Sequence, residues 1–181
     1  MIPAEAVLQP ADVSANKFES LPEGEAANLR PIRPCDARYP SDATRTAAVA
    51  RQALVMPPAG GVQTPVALLQ YVGRHPGHGP TAFAELVNAV RACPDKLDGD
   101  QYTWELVGTD IAGDESVVVR ATQLQTYGNP PARPVTTPIV VARVGDYITV
   151  VADLGWENIN GDEAYVRAMS VKAVDRLRRY G

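Results

Sequence analysis

The chain has 181 residues, 45% of them apolar, with a formal net charge of −4. That length suits one domain with a core large enough to stand without a structural metal, and the apolar share excludes disorder throughout. Acidic and basic residues are interspersed, so there is no basic stripe for nucleic acid, and no apolar run reaches the roughly 18 residues that a membrane-spanning helix needs.

No signal peptide is visible at Met1-Ile2-Pro3-Ala4, and the expectation is a removed export signal or lipid anchor. Residues 1–34 are rich in Pro and Glu and read as an extended arm, with one short helix around Pro10-Ala11-Asp12. Leu29-Arg30-Pro31-Ile32-Arg33-Pro34 must be extended, because a residue before proline is pushed out of the α region. The domain proper is expected over 35–181. Cys35 and Cys93 are spaced neither as a redox pair nor as metal ligands. In an exported protein they read as one disulfide closing a loop of roughly 60 residues, worth about 4 kcal/mol by chain entropy; the other reading is two buried free thiols.

Ala47–Met56 and Val62–Val72 flank Pro57-Pro58-Ala59-Gly60-Gly61. Periodicity alone allows helix or strand, but Pro-Pro followed by Gly-Gly favours a hairpin. After the loop Gly73–Pro80, Phe83, Leu86, Val87 and Val90 recur at the spacing of an amphipathic helix, which Cys93 and Pro94 end. Tyr102–Val107 and Ser116–Tyr127 read as strands, and Gly128–Pro138 as a long Pro-rich connection.

Ile139–Val144 and Tyr147–Asp153 face each other across Gly145-Asp146, a Gly-first loop that fits a type II′ turn. With Val144 opposite Tyr147, one face carries Val140, Ala142, Val144, Tyr147, Thr149 and Val151, and the other Ile139, Val141, Arg143, Ile148, Val150 and Ala152, so both are largely apolar. A sheet with one wet face alternates apolar with polar. Here both faces are covered, or one lines an apolar groove. A last helix runs from about Asp162 to Arg179, acidic at its start and basic at its end as the helix dipole prefers. Together these elements make a single α+β domain: an antiparallel sheet of about five or six strands, two main helices and one disulfide.

In this order the segments resemble the actinobacterial sensor-domain lipoproteins, related to the extracellular domain of PknH-type receptor kinases. The resemblance rests on Val7-Leu8-Gln9-Pro10-Ala11-Asp12, a Cys after the Pro-rich arm, and Ala82-Phe83-Ala84-Glu85-Leu86 leading to Cys93. Gly113-Asp114-Glu115-Ser116 before a Val-rich strand and Val144-Gly145-Asp146 at a hairpin add to it. It implies an exported domain, an antiparallel sheet with packed helices, and a cleft for an unidentified ligand. Relatives of the kinase domain carry two disulfides, whereas this chain can make only one. No kinase catalytic motif is present, so only the sensor half is implied.

Candidate chemistry is sparse. His75 and His78 form a His-x-x-His in a Gly/Pro loop; a zinc site needs further rigid ligands, and the plainer reading is two exposed imidazoles. Asp153–Asp162 is rich in Asn and Asp, but aligning Gly161 with the calcium-loop glycine puts Trp156 first and Arg167 twelfth, so the EF-hand pattern fails and a turn capping the last helix is expected. Asp114 and Glu115 are adjacent, and neighbours on a strand point to opposite faces. No Gly-x-Ser-x-Gly elbow occurs, and Ser116 and Ser170 have no base nearby in sequence. Trp104, Arg120, Tyr127 and Trp156 are the candidate ligand contacts, against a plainer role in packing or at a solvated edge.

The expected function is an extracytoplasmic ligand-binding or sensor domain, acting through a groove beside the sheet without catalysis or cofactor. Its partner would be an unidentified small molecule or cell-envelope component, not nucleic acid, with membrane contact only through an N-terminal anchor. The alternatives are a small secreted hydrolase or metal-dependent enzyme using His75 or His78, and a cell-envelope protein-interaction module working through Gly128–Pro138.

Overall fold

The structure is a computed structural model that describes residues 1–21, 32–56, 64–93, 102–126, 131–157 and 159–181. Its elements are α1 (Pro10–Val13), β1 (Lys17–Leu21), β2 (Ala47–Val55), β3 (Val66–Arg74), α2 (Gly79–Ala92), β4 (Tyr102–Thr109), β5 (Glu115–Gln125), β6 (Arg133–Val144), β7 (Tyr147–Asp153) and α3 (Glu163–Tyr180). Single 3₁₀ turns occur at Ala4–Ala6, Pro34–Asp36 and Pro40–Thr44. The strands form one open sheet in the order β1-β2-β3-β7-β6-β5-β4, every neighbour antiparallel. The α+β class therefore holds, with seven strands among the described residues rather than about five or six.

The additional strand is β1, inside the stretch expected to be an extended arm. Five residues are too few for periodicity to reveal; β1 exists because it pairs with β2, Phe18 opposite Ala53. A second difference lies at 133–138, expected as loop but forming the first half of β6. Pro134 and Pro138 sit within a strand without breaking it. β7 pairs only with Ile139–Val144, so this half of β6 is bonded on one side alone, to β5. Thr136, of the same parity as both prolines, sends its N–H away from β5 to the Asn160 side chain. The prolines therefore lack an N–H where the ladder does not use one.

The β6–β7 hairpin has the expected register, Val144 opposite Tyr147, and Gly145 takes φ +55° at the first loop position. Its two apolar faces are explained by a helix on each side. Ile139, Val141, Ile148, Val150 and Ala152 pack with Phe83, Val87 and Val90 of α2. Val140 and Val151 pack with Val166, Met169 and Ala173 of α3, and Val144 and Tyr147 lie with Leu177. A strand covered on both faces needs no alternation.

The N-terminal residues close the α3 side. Ala6, Val7 and Leu8 are buried; the Leu8 N–H donates to the Gln70 side chain at 2.7 Å, and Arg176 of α3 donates to the Asp12 carboxylate. On the α2 side, Cys35 and Cys93 form a disulfide with Cα atoms 5.9 Å apart. It ties the Pro34–Asp36 turn to the C-cap of α2.

Candidate functional site

Four pieces of chain line a small, partly open cavity on the α2 side. Its floor is β3 and β7, through Tyr71, Ile148 and Val150; α2 supplies Ala82 and Leu86; the segment running from the end of the arm to Thr44 supplies Ile32, Tyr39 and Ser41. The first turn of α2 is set close to the hairpin: a Cβ on Gly79 would collide with the Gly145 carbonyl oxygen. Only glycine lets the helix start there, and that contact brings Ala82 and Leu86 over β7.

Polar groups gather at one end. His75, just past β3, is 4% exposed. Its backbone N–H donates to the Asp146 carbonyl at 2.8 Å, and its ring Nδ1 lies 3.1 Å from the Ser41 carbonyl. A carbonyl only accepts, so Nδ1 carries the proton in that contact. The Thr44 hydroxyl donates to the same carbonyl at 2.7 Å. Ser41 donates from its backbone N–H (3.1 Å) and its hydroxyl (2.5 Å) to Oε2 of Glu85 on α2. Arg45 donates to the Tyr71 hydroxyl at 3.2 Å. His75 thus meets the Ser41 carbonyl, while the Ser41 hydroxyl is committed to Glu85. The cavity measures about 30 Å³. A water takes roughly 10–15 Å³ on this scale, so the cavity has room for about two.

Several expectations are corrected by these contacts. His75 is not an exposed imidazole; it is buried and bonded, while His78 is exposed at the N-cap of α2. Among the described residues no three His, Cys, Asp or Glu side chains gather to hold a metal. Asp114 and Glu115 do not diverge: both reach Arg143, at 3.0 and 2.6 Å. The Gly113 turn bends the chain just before β5, and Oδ2 of Asp114 also accepts from the Gly145 N–H at 2.8 Å. Ser116 and Ser170 serve the backbone. The first accepts from the N–H groups of Ile111 and Ala112, and the second donates to the Val166 carbonyl.

Of the four candidate ligand contacts, the three described ones are not brought together. Trp104 is 9% exposed in the core beneath α2, its ring centroid 5.7 Å from that of Tyr102. Arg120 lies on the opposite face and pairs with Glu163 of α3 at 2.8 Å. Partial burial pushes the Glu163 carboxyl upward, but hydrogen bonds and charge from Arg167 and Arg120 outweigh it and hold the group below its ordinary pKa. Tyr127 lies outside the described residues.

Trp156 is half-buried in the loop after β7, beside an open cleft of about 230 Å³. Asp153 organises that loop. Its buried carboxylate accepts from the N–H groups of Ala67 (3.1 Å), Gly155 (3.0 Å) and Asp162 (2.7 Å). The expected helix cap is present: Oδ1 of Asp162 accepts from the Tyr165 N–H at 2.9 Å.

Sequence reasoning missed Ser41, Tyr71 and Glu85. No motif links Ser41 with Glu85 across 44 positions; only the docking of α2 brings them together. No family model, curated protein or solved structure matches this chain.

Proposed function

We propose that the chain is an exported, non-catalytic ligand-binding domain of the sensor type, taking its ligand into the cavity between α2 and the sheet. One observation carries this reading: an apolar cavity lies against Ile148 and Val150 of β7, with Ser41, Tyr71 and His75 at one end. Apolar walls with a few convergent polar groups are the usual form of a small-molecule site. The Cys35–Cys93 bond supports an oxidising compartment and hence export. The ligand would have an apolar body and one hydrogen-bonding group. Typical sites of this kind measure roughly 300–1,000 Å³, so binding requires α2 to part from the Ser41 segment. The Ser41–Glu85 pair is the contact that must yield.

The test is native mass spectrometry of protein secreted by an oxidising host and purified without detergent. A bound mass is expected on the wild type and absent from Leu86→Trp, which fills the cavity with an indole. Protein that carries no adduct, and whose Ile148 and Val150 methyl NMR signals ignore added 8-anilinonaphthalene-1-sulfonate, would overturn the proposal.

A further inference from the structure

A second cleft lies on the same face of the sheet but at its other end, away from the cavity. Register places Lys17 opposite Leu54, Glu19 opposite Gln52, and Leu54 opposite Ala67. These residues therefore share the α2 side of β1, β2 and β3, whereas α2 itself packs over β4, β6 and β7. Leu154 and Trp156 of the loop after β7 complete the cleft.

The described residues of the loop are held by backbone bonds. Besides the three N–H groups held by Asp153, Trp156 and Ile159 form an isolated β-bridge, and the Gly161 N–H donates to the Thr136 carbonyl at 2.9 Å. Gly155 takes φ +74°, and a Cβ there would lie 2.5 Å from the Ile159 carbonyl oxygen. The Trp156 backbone is thus held without a ligand, which lowers the ordering cost of binding. Leu154 is 43% exposed beside it.

We infer that this cleft binds a neutral saccharide unit, with the apolar face of a pyranose ring on the Trp156 indole and its hydroxyls on Gln52, Glu19 and Lys17. The lining chemistry selects that occupant. The indole, with Leu54 and Leu154, offers a flat apolar surface. Gln52 donates and accepts, Glu19 accepts and Lys17 donates, which matches hydroxyls that do both. Lys17 and Glu19 pair at 2.8 Å, so the lining carries no net charge and gives an ionic ligand no advantage. About 230 Å³ is small for an extended chain of residues but suits one or two rings. The inference is independent of the α2 cavity.

The experiment is an NMR titration of the indole N–H signals with cellotetraose and with chitotetraose, using tetra-alanine as the peptide control. The Trp156 signal should shift saturably with at least one saccharide while that of Trp104 stays put. Trp156→Ala, followed through the Leu54 and Leu154 methyls, should weaken binding at least about tenfold, and Gln52→Ala by about threefold. Three results would each overturn the inference: no saturable shift at millimolar saccharide in protein whose Trp104 signal is native, an equal response to tetra-alanine, or affinity unchanged in Trp156→Ala.

Discussion

At the scale of single residues, the polar side chains of this protein work mainly as clamps on backbone and on one another. Asp153 and Ser41 each satisfy groups from a separate stretch of chain, Ser116 satisfies those of the turn before its own strand, and no local pattern in the sequence announces any of the three. Asp12 is the clamp with a measurable titration. Partial burial pushes its carboxyl upward, but hydrogen bonds from Arg176 and the Gln9 N–H, with the charges of Arg176 and Lys172, hold it below the ordinary carboxylate value. A carboxyl depressed by folding adds stability above its unfolded pKa, and that contribution is lost as pH falls through the lower folded value. Asp12→Asn should therefore cost about 1 kcal/mol near neutrality and progressively less below the carboxylate range. Urea titrations at several pH values check this. A cost that stayed constant into acid would mean that shape rather than charge holds the N-terminal segment to α3. The residue-scale contacts were the least legible part of the sequence. The Asp12–Arg176 pair spans 164 positions, and nothing local announces it.

At the scale of elements, legibility followed length and cover. The β6–β7 hairpin could be read down to its register because runs of apolar and β-branched positions flank a Gly-first turn. Its two-sided pattern left two outcomes open, cover on both faces or an apolar groove, and a helix packs on each face. β1 could not be read, since a five-residue edge strand takes its structure from its partner. The first half of β6 was missed for a different reason: proline argues against a strand unless the side it faces is already known to be unpaired. The turns give a contrast that mutation can test. Gly145 has φ +55° with open space where a methyl group would sit, so Gly145→Ala meets only backbone strain, about 1 kcal/mol. Gly155→Ala adds a collision with the Ile159 carbonyl and should cost distinctly more. It should also move the Trp156 indole signal, which Gly145→Ala should leave alone. Thermal melts and the two indole resonances separate these outcomes. Equal destabilisation by the two variants would show that the loop after β7 yields readily, against the positioned Trp156 on which the saccharide site depends.

At the scale of the whole molecule, the two faces of the sheet are secured by different means. The α3 face is held by noncovalent cover: residues of the N-terminal segment, the buried stripe of α3, and the Arg176–Asp12 and Arg120–Glu163 pairs. The α2 face is shared between a helix and the segment from Ile32 to Thr44, and these are stapled by a disulfide across 58 positions. Closing a loop of that size is worth about 4 kcal/mol in the chain-entropy model. Replacing both cysteines by serine should lower stability by that order. The loss should not be uniform in its local effects, because the staple joins only elements of the α2 side. Hydrogen exchange should quicken first in α2 and around Ser41 and His75, while α3 and its sheet face keep their protection until global unfolding. Urea denaturation gives the total, and exchange followed by mass spectrometry gives its distribution. If α3 loosens as early as α2, the two faces form one cooperative unit, and the cavity cannot open without unfolding the domain. If α2 loosens alone, the closed cavity has a route by which to admit a ligand, and the bonds from Ser41 to Glu85 become the restraint that the ligand displaces.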